Sequence, residues 1–277
     1  MHHIDKIIYI NMGHRVDRNQ KIKSEFERMG IPEDKITRFH ARAYKGCPIS
    51  GCLMSHASVL EMAYDTGYNN VLILEDDFVF LDDAQKVIND IDAFFQMKME
   101  WDVIKLTAFA PKISQKTNSL VSQISFSTNS AAYLVNRPMM LELSTLFKEN
   151  VENIFKTKQH WIFAIDILWS IFMTTRNWFM FNHYLGYQAQ GYSDISKTED
   201  MDKIPQIVES HKTSDSIVNS VIESFVKRSN LGLQKYGTTL DRNDLSVLDW
   251  IQHAQEEHMD AILYLEKLKT ELIKKPL

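Results

Sequence analysis

Short runs of branched aliphatic residues alternate with amphipathic stretches along this 277-residue chain, the pattern of an α/β protein whose mostly parallel sheet is flanked by helices. Two observations carry that expectation. The run Val71-Leu72-Ile73-Leu74 is unbroken and apolar, as suits a strand covered on both faces, and it ends abruptly in Glu75-Asp76-Asp77. A second run, Lys6 to Ile10, opens the chain and feeds a polar loop and then a helical pattern. The three acids fall at the carboxyl edge of the sheet, where open α/β sheets bind their ligands. Carboxylates clustered there either hold a hard divalent ion against phosphate oxygens or cap the next helix. Asp82 and Asp83 stand directly before the helical pattern Val87, Ile88, Ile91, Phe94 and Phe95 and can supply that cap instead.

The elements follow in order. After the strand at 6–10 and the polar loop Asn11 to Asn19, Ile22, Phe26 and Met29 mark an amphipathic helix that Gly30-Ile31-Pro32 stops. An extended piece from Ile36 to Ala43 leads through a turn at Lys45 to Pro48 into a helix bearing Leu53, His56, Leu60 and Ala63, closed by Gly67. Beyond the acids and the helix near 84–96, Trp101 to Thr107 and Ala131 to Val135 read as strands, and Pro138 suits the first turn of a helix. Trp161 to Thr174 is apolar almost all round and is expected as a buried helix, with Trp178 to Gln188 extended after it. Ser114 to Thr128 carries no readable pattern. Composition turns polar around Ser193 to Ser216, the expected linker, so the domains are expected at 1–210 and 211–277. The second is a helical module in which Ile251, Ala254, His258, Ala261, Leu265, Leu268 and Leu272 form a stripe that must pack on something.

A 44% apolar content supports a folded core, and a formal charge of −5 argues against a general nucleic-acid binder. No apolar run approaches the ~18 residues of a membrane span, and no secretory leader is evident, so a soluble, cytoplasmic protein is expected. Cys47 and Cys52 are the only cysteines, expected as reduced thiols without a metal or redox role.

Four places are candidates for chemistry. The loop Asn11 to Arg18 follows a strand and carries Arg15 and Arg18, a cradle for a nucleotide diphosphate or simply a solvated loop; it lacks the G-x-x-x-x-G-K-[ST] spacing of an ATP-type loop. Glu75, Asp76 and Asp77 are the candidate metal edge. Asp166 lies among large apolar residues, so it must find a partner, face a polar cavity or take up a proton, and a raised pKa would suit a general base. Gln188, Gln190, Ser193 and Asp194 form a polar group after the last strand, fit for sugar hydroxyls, phosphates or an ordinary turn.

Taken in order, Ile8-Tyr9-Ile10-Asn11 with Arg15, Asp17 and Arg18, Ala41-Arg42-Ala43, Gly51-Cys52-Leu53-Met54-Ser55-His56, Ile73 to Asp77, Ala131 to Leu134, Asp166 and Ser193-Asp194-Ile195 resemble glycosyltransferase family 25 over about residues 4–196. That family includes lipooligosaccharide and collagen-type galactosyltransferases. The resemblance implies a GT-A-like, Rossmann-type fold and an inverting transfer from a UDP-sugar, most often UDP-galactose, to a hydroxyl of a glycan or glycoprotein. It implies Mn²⁺ or Mg²⁺ at Glu75 and Asp77, which have the D-x-D spacing, with Asp76 between them pointing the other way if the strand continues. It further implies Asp166 as base, Arg15 and Arg42 at the diphosphate, Asn11 at the uracil or ribose, and Ser55 and His56 bordering the donor site. Arg18, Asp76, Gln188 and Ser193 complete the expected donor-binding set. Met12-Gly13-His14 departs from the family's usual first motif.

The tail, through Arg228 to Gly232, Lys235 to Thr238, Leu240 to Arg242, Asp249-Trp250 and Glu256 to Asp260, resembles small phage and viral helical proteins related to MazG-type nucleotide pyrophosphohydrolases. Glu257 and Asp260 reproduce the E-x-x-D half of that metal site, while Glu223 stands alone where two acids are usual. Homo-oligomerisation through these helices explains the stripe without catalysis. Two alternatives to sugar transfer stay open: pyrophosphohydrolase activity in the tail, and a non-catalytic glycan-binding or assembly protein.

Overall fold

The structure, a computed structural model, describes residues 2–44, 46–81, 83–189, 191–192, 199–200 and 246–274, with single or paired positions at 215, 217–218, 220–221, 224–225 and 228. The chain divides into two compact units, Met1–Ile207 and Val208–Leu277.

In the first unit the aliphatic runs become β1 (Lys6–Asn11), β3 (Asn70–Glu75), β5 (Val103–Lys105) and β8 (Ala132–Asn136). The extended pieces become β2 (Ile36–His40) and, after the apolar segment, β9 (Trp178–Phe181) and β10 (Gly186–Gln188). Between them lie α1 (Val16–Arg28), α2 (Pro48–Thr66), β4 (Phe78–Phe80), α3 (Ala84–Gln96), the hairpin β6 (Phe109–Lys116) and β7 (Val121–Thr128), and α4 (Arg137–Thr157). One eight-stranded sheet runs in the order β2-β1-β3-β8-β5-β9-β7-β6. Following the pairings across it, six strands point one way and only β8 and β7 oppose them, so the sheet is mixed but mostly of one direction.

Alternate residues of each strand face two different cores. Ile8, Ile10, Val71, Ile73, Val103 and Val135 pack with Leu53, Leu60, Leu143 and Phe147 of α2 and α4 on one face. Ile7, Tyr9, Leu72, Leu74, Ile104 and Leu134 pack with Ile22, Phe26, Val87, Ile91 and Phe94 of α1 and α3 on the other. Two covered faces explain why the strands read as continuous apolar runs. Side chains at the helix starts behave as the sequence implies. Asp83 accepts from the Lys86 backbone N–H at 2.8 Å, Asn136 accepts from that of Met139 at 3.0 Å, and Pro138 lies in the first turn of α4. The three acids are therefore not needed as a cap; Asp82 lies outside the described residues.

One expectation fails. Trp161 to Thr174 is not one buried helix but three single turns, α5 (His160–Phe163), α6 (Ile165–Leu168) and α7 (Ser170–Met173). Ala164 is extended at φ −64°, ψ 148° and breaks the helix, so only part of the apolar surface turns inward. Ile165, Trp169 and Met173 are buried, while Trp161, Ile162 and Ile171 stay exposed. Two short ladders complete the unit: β4 with β10, and β11 (Gly191–Tyr192) with β12 (Glu199–Asp200). In the second unit α8 (Val247–Lys274) exposes Val247, Leu248, Ile251, Ile262, Leu263, Leu265 and Leu268.

The β4–β10 ladder needs glycine at one position. A Cβ on Gly186 would stand 2.2 Å from Phe78 Cζ and 2.4 Å from the Val79 carbonyl oxygen, which is backbone and cannot yield. Gly186→Ala is expected to destabilise the fold by about 1–3 kcal/mol, seen as a lower urea midpoint at unchanged slope.

Candidate functional site

Parallel pairing of β1 with β2 and β3 brings their carboxyl ends to one edge, with Asn11 opposite His40 and Ile10 opposite Glu75. A cavity of about 330 Å³ opens there, walled by the loop after β1 (Met12, His14), Arg18, residues 41–44, the start of α2 and the three acids. Gln188 also lines it.

The acids do not alternate as an extended strand would make them. β3 ends at Glu75, and Asp76 and Asp77 form the turn into β4, so all three line the cavity. Arg18 reaches from α1 and donates from one Nη1 to Asp76 Oδ1 at 3.0 Å and to Asp77 Oδ2 at 2.8 Å. Asp76 Oδ2 also accepts from Asn11 Nδ2 at 2.5 Å, and Asn11 Oδ1 accepts from Arg38. Gln188 Nε2 donates to Asp77 Oδ2 at 3.2 Å, fixed by the β10–β4 register that sets Gln188 against Phe78. Burial raises the pKa of Asp76, against the pull of Asn11 and Arg18. Burial and the neighbouring Glu75 charge push Asp77 up to about 7, while Arg18 acts the other way. The Arg18 guanidinium loses to burial but gains more from Asp77 and Asp76, so its pKa is raised.

Asp77 Oδ1 is buried and has no hydrogen-bond donor. A buried carboxylate oxygen without a donor, beside a second acid, is a fit for a hard cation. The orphaned Asp77 oxygen thus suits Mn²⁺ or Mg²⁺ with Glu75 on the same wall, although among the described residues Asp77 joins no set of three ligand atoms within 4.8 Å of one another.

Glu75 is held from the other side. Ser130 Oγ donates to Glu75 Oε1 at 2.6 Å, and the Glu75 backbone N–H donates to the Ala131 carbonyl at 2.8 Å. The same short loop holds Asp166, whose Oδ2 accepts from the Asn129 N–H at 3.0 Å. Asn129 takes the left-handed φ of 80° that this turn needs, a conformation asparagine tolerates. Lys105 underpins the loop. Its amine is fully buried at the end of β5, donates to Ser127 Oγ at 3.0 Å and to the Thr128 carbonyl at 2.8 Å, and lies 4.8 Å from the centre of the Trp169 ring. Burial drives its pKa down to about 7, with the Asp166 charge opposing.

The structure thus gathers Arg18, Arg42, Ser55, His56, Glu75, Asp76, Asp77 and Gln188 on the cavity wall and sets Asn11 directly behind Asp76. Ser55 there serves the wall itself, donating to the Gly51 carbonyl at 2.6 Å and accepting from the Arg42 N–H at 2.7 Å. His56 is buried, with Nδ1 2.9 Å from the Tyr133 hydroxyl and Nε2 3.5 Å from Glu75 Oε1. Arg15 is paired with Asp17 at 3.0 Å, holding that exposed carboxyl down to about 2, and does not line the cavity. Asp166 is half-buried on α6 and also off the cavity wall. Ser193 lies outside the described residues, as does Glu223. In the second unit Glu257 is exposed and paired with Arg228 at 3.1 Å. Lys105, Ser130, Arg38 and Tyr44 were not anticipated, and Tyr133 stood only inside the fragment Ala131 to Leu134, without a role in the site. A lysine inside the apolar run Val103-Ile104-Lys105-Leu106 was the one signal among them, since a strand covered on both faces leaves such an amine nowhere to go.

Residues 47–169 match the model of glycosyltransferase family 25 (LPS biosynthesis protein), a little under half of the chain. On that match the chain is a glycosyltransferase, and the matched span contains α2, the three acids, the loop 127–131 and Asp166. No curated protein matches the sequence. Among solved structures, a glycosyltransferase involved in the glycosylation of the major capsid of PBCV-1 aligns with TM-score 0.39 and 11% identity, covering 64% of this chain and 92% of that one. A197 from STIV aligns with TM-score 0.37 and 13% identity, over 72% and 94%. Mouse xyloside xylosyltransferase 1 aligns with TM-score 0.32 and 8% identity, over 62% and 69%. Scores this low leave the functional argument to the family match and to the geometry of the cavity.

Lys105 gives a pH signature. Its folded form releases a proton near pH 7, whereas an unfolded lysine holds its proton to about 10.4, so the unfolded chain binds more protons between those values. Its contribution therefore makes stability rise with pH over that window. Urea unfolding at pH 7 and pH 9 is expected to show a larger gain for the wild type than for Lys105→Met.

Proposed function

We propose that this chain moves a hexose, galactose first among them, from a UDP-sugar to a hydroxyl of a glycan or glycoprotein, with inversion and with a divalent metal ion. The observation that supports the metal reading best is the buried, donorless Asp77 Oδ1 beside Glu75 on the cavity wall. The family match supports the transfer reading, and the donor sugar comes from the family resemblance.

Glu75 and Asp77 would hold Mn²⁺ or Mg²⁺, whose charge stabilises the phosphate oxygens of the departing nucleotide. The chain's own groups do the rest. Arg18 neutralises Asp76 and fixes the Asp77 carboxylate with Oδ2 occupied and Oδ1 open. Arg42 and His14 line the same cavity and would bring donors to the diphosphate. Asp166 stands off the cavity wall but is held by the loop that also holds Glu75; as the proposed base it would take the acceptor hydroxyl proton as that oxygen bonds to the anomeric carbon, while the bond from that carbon to the β-phosphate oxygen breaks and its electron pair leaves with UDP.

The C-terminal unit is read as an assembly module, supported by the exposed Ile251, Leu265 and Leu268 on α8. Its pyrophosphohydrolase alternative is weakened by the pairing of Glu257 with Arg228.

Asp77→Asn and Glu75→Gln are each expected to abolish Mn²⁺-dependent turnover of the UDP-sugar; unchanged turnover would remove the metal assignment. Asp166→Asn is expected to keep donor binding and lower turnover by about 10²–10⁴-fold. An equal loss of UDP affinity would make Asp166 a structural residue. Leu265→Glu combined with Leu268→Glu is expected to reduce the particle mass seen by light scattering to that of one chain, and an unchanged mass would end the assembly reading.

A further inference from the structure

We infer that Cys52, His56 and Glu75 form a second cation site at the base of the cavity, with the donor chemistry of Zn²⁺ rather than of Mg²⁺. One ligand atom from each residue lies within 4.8 Å of the other two. All three line the cavity. Cys52 and His56 are one turn apart on α2, so their side chains share a face of that helix, and Glu75 meets them from the end of β3.

The supporting groups are those that a metal ligand set requires. His56 Nδ1 is engaged by the Tyr133 hydroxyl at 2.9 Å, which leaves Nε2 directed at Glu75, 3.5 Å from Oε1. Glu75 is oriented in turn by Ser130 Oγ at 2.6 Å. Outer partners of this kind fix the tautomer and aim of ligating imidazoles and carboxylates. One sulfur, one imidazole nitrogen and one carboxylate oxygen is a ligand set for zinc, and three protein ligands leave a fourth position open toward the cavity. On binding, the Cys52 S–H bond gives its proton to solvent and the thiolate bonds the ion.

This assignment reverses the sequence expectation of an inert Cys52, and it stands independently of sugar transfer. Glu75 belongs to both cation sites. On the reading that Mn²⁺ or Mg²⁺ sits at Glu75 and Asp77, Zn²⁺ at Cys52 and His56 therefore competes with that ion.

The test is a Zn²⁺ titration of the full chain against a chromophoric chelator, without nucleotide sugar, so that its outcome does not depend on the transferase reading. The wild type is expected to take up one equivalent that Cys52→Ser binds at least about tenfold more weakly, and Tyr133→Phe, which removes only a hydroxyl, about 10–100-fold more weakly. Co²⁺ in place of Zn²⁺ is expected to give a thiolate-to-metal charge-transfer absorption in the wild type that Cys52→Ser lacks. Equal Zn²⁺ affinity in the wild type and both variants, or a Co²⁺ spectrum without thiolate character, would overturn the site and leave His56 and Glu75 as neighbours without a metal. Asp77→Asn is expected to retain Zn²⁺ uptake, which separates this site from the one at Asp77.

Discussion

One guanidinium nitrogen, Arg18 Nη1, holds two carboxylates at the mouth of the sheet. Asp76 and Asp77 are adjacent, nearly buried and joined by Glu75, and three such charges repel strongly where water is scarce. A single cation from α1 makes the turn after β3 tolerable, because breaking a buried pair leaves an uncompensated charge worth several kcal/mol. Arg18 compensates only in part. Asp77 keeps one bare oxygen and a pKa near 7, and that remaining imbalance is what a divalent ion would relieve.

The rest of the site is arranged around the same edge. Loop 127–131 grips Glu75 through Ser130 and Asp166 through Asn129, so two acids assigned different work share one support. Lys105 ties that loop to the middle of the sheet, and Trp169 connects it to Tyr133, whose hydroxyl meets His56. The helices on both sheet faces supply the rigidity, since strand ends move little when both faces are packed.

Much of this was legible in the residues. Val71 to Leu74 suited a doubly covered strand, and the acids after it stood between a metal edge and a helix cap until Asp83 was seen to cap α3. What sequence could not provide was direction. Period-two alternation put Asp76 away from Asp77, but the strand stops at Glu75 and the turn brings both onto Arg18. Trp161 to Thr174 shows the limit of apolar content as a guide: extended Ala164 splits it, a backbone choice with no marker in side-chain hydrophobicity. The β6–β7 hairpin was invisible because β6 is exposed along most of its length and carries no alternation. Asn11 was picked out for the nucleoside, and in the structure its amide spans Asp76 and Arg38, a contact between residues 65 and 27 positions away in the chain that no local pattern encodes.

On the proposed reading, the acids at the end of β3 bind a diphosphate through a divalent ion. Calorimetric titration of UDP into the protein, with Mn²⁺ and then with chelator, tests it most directly. Tight binding that depends on Mn²⁺ and that Asp77→Asn removes is expected. UDP affinity that is the same in Mn²⁺ and in chelator would contradict it.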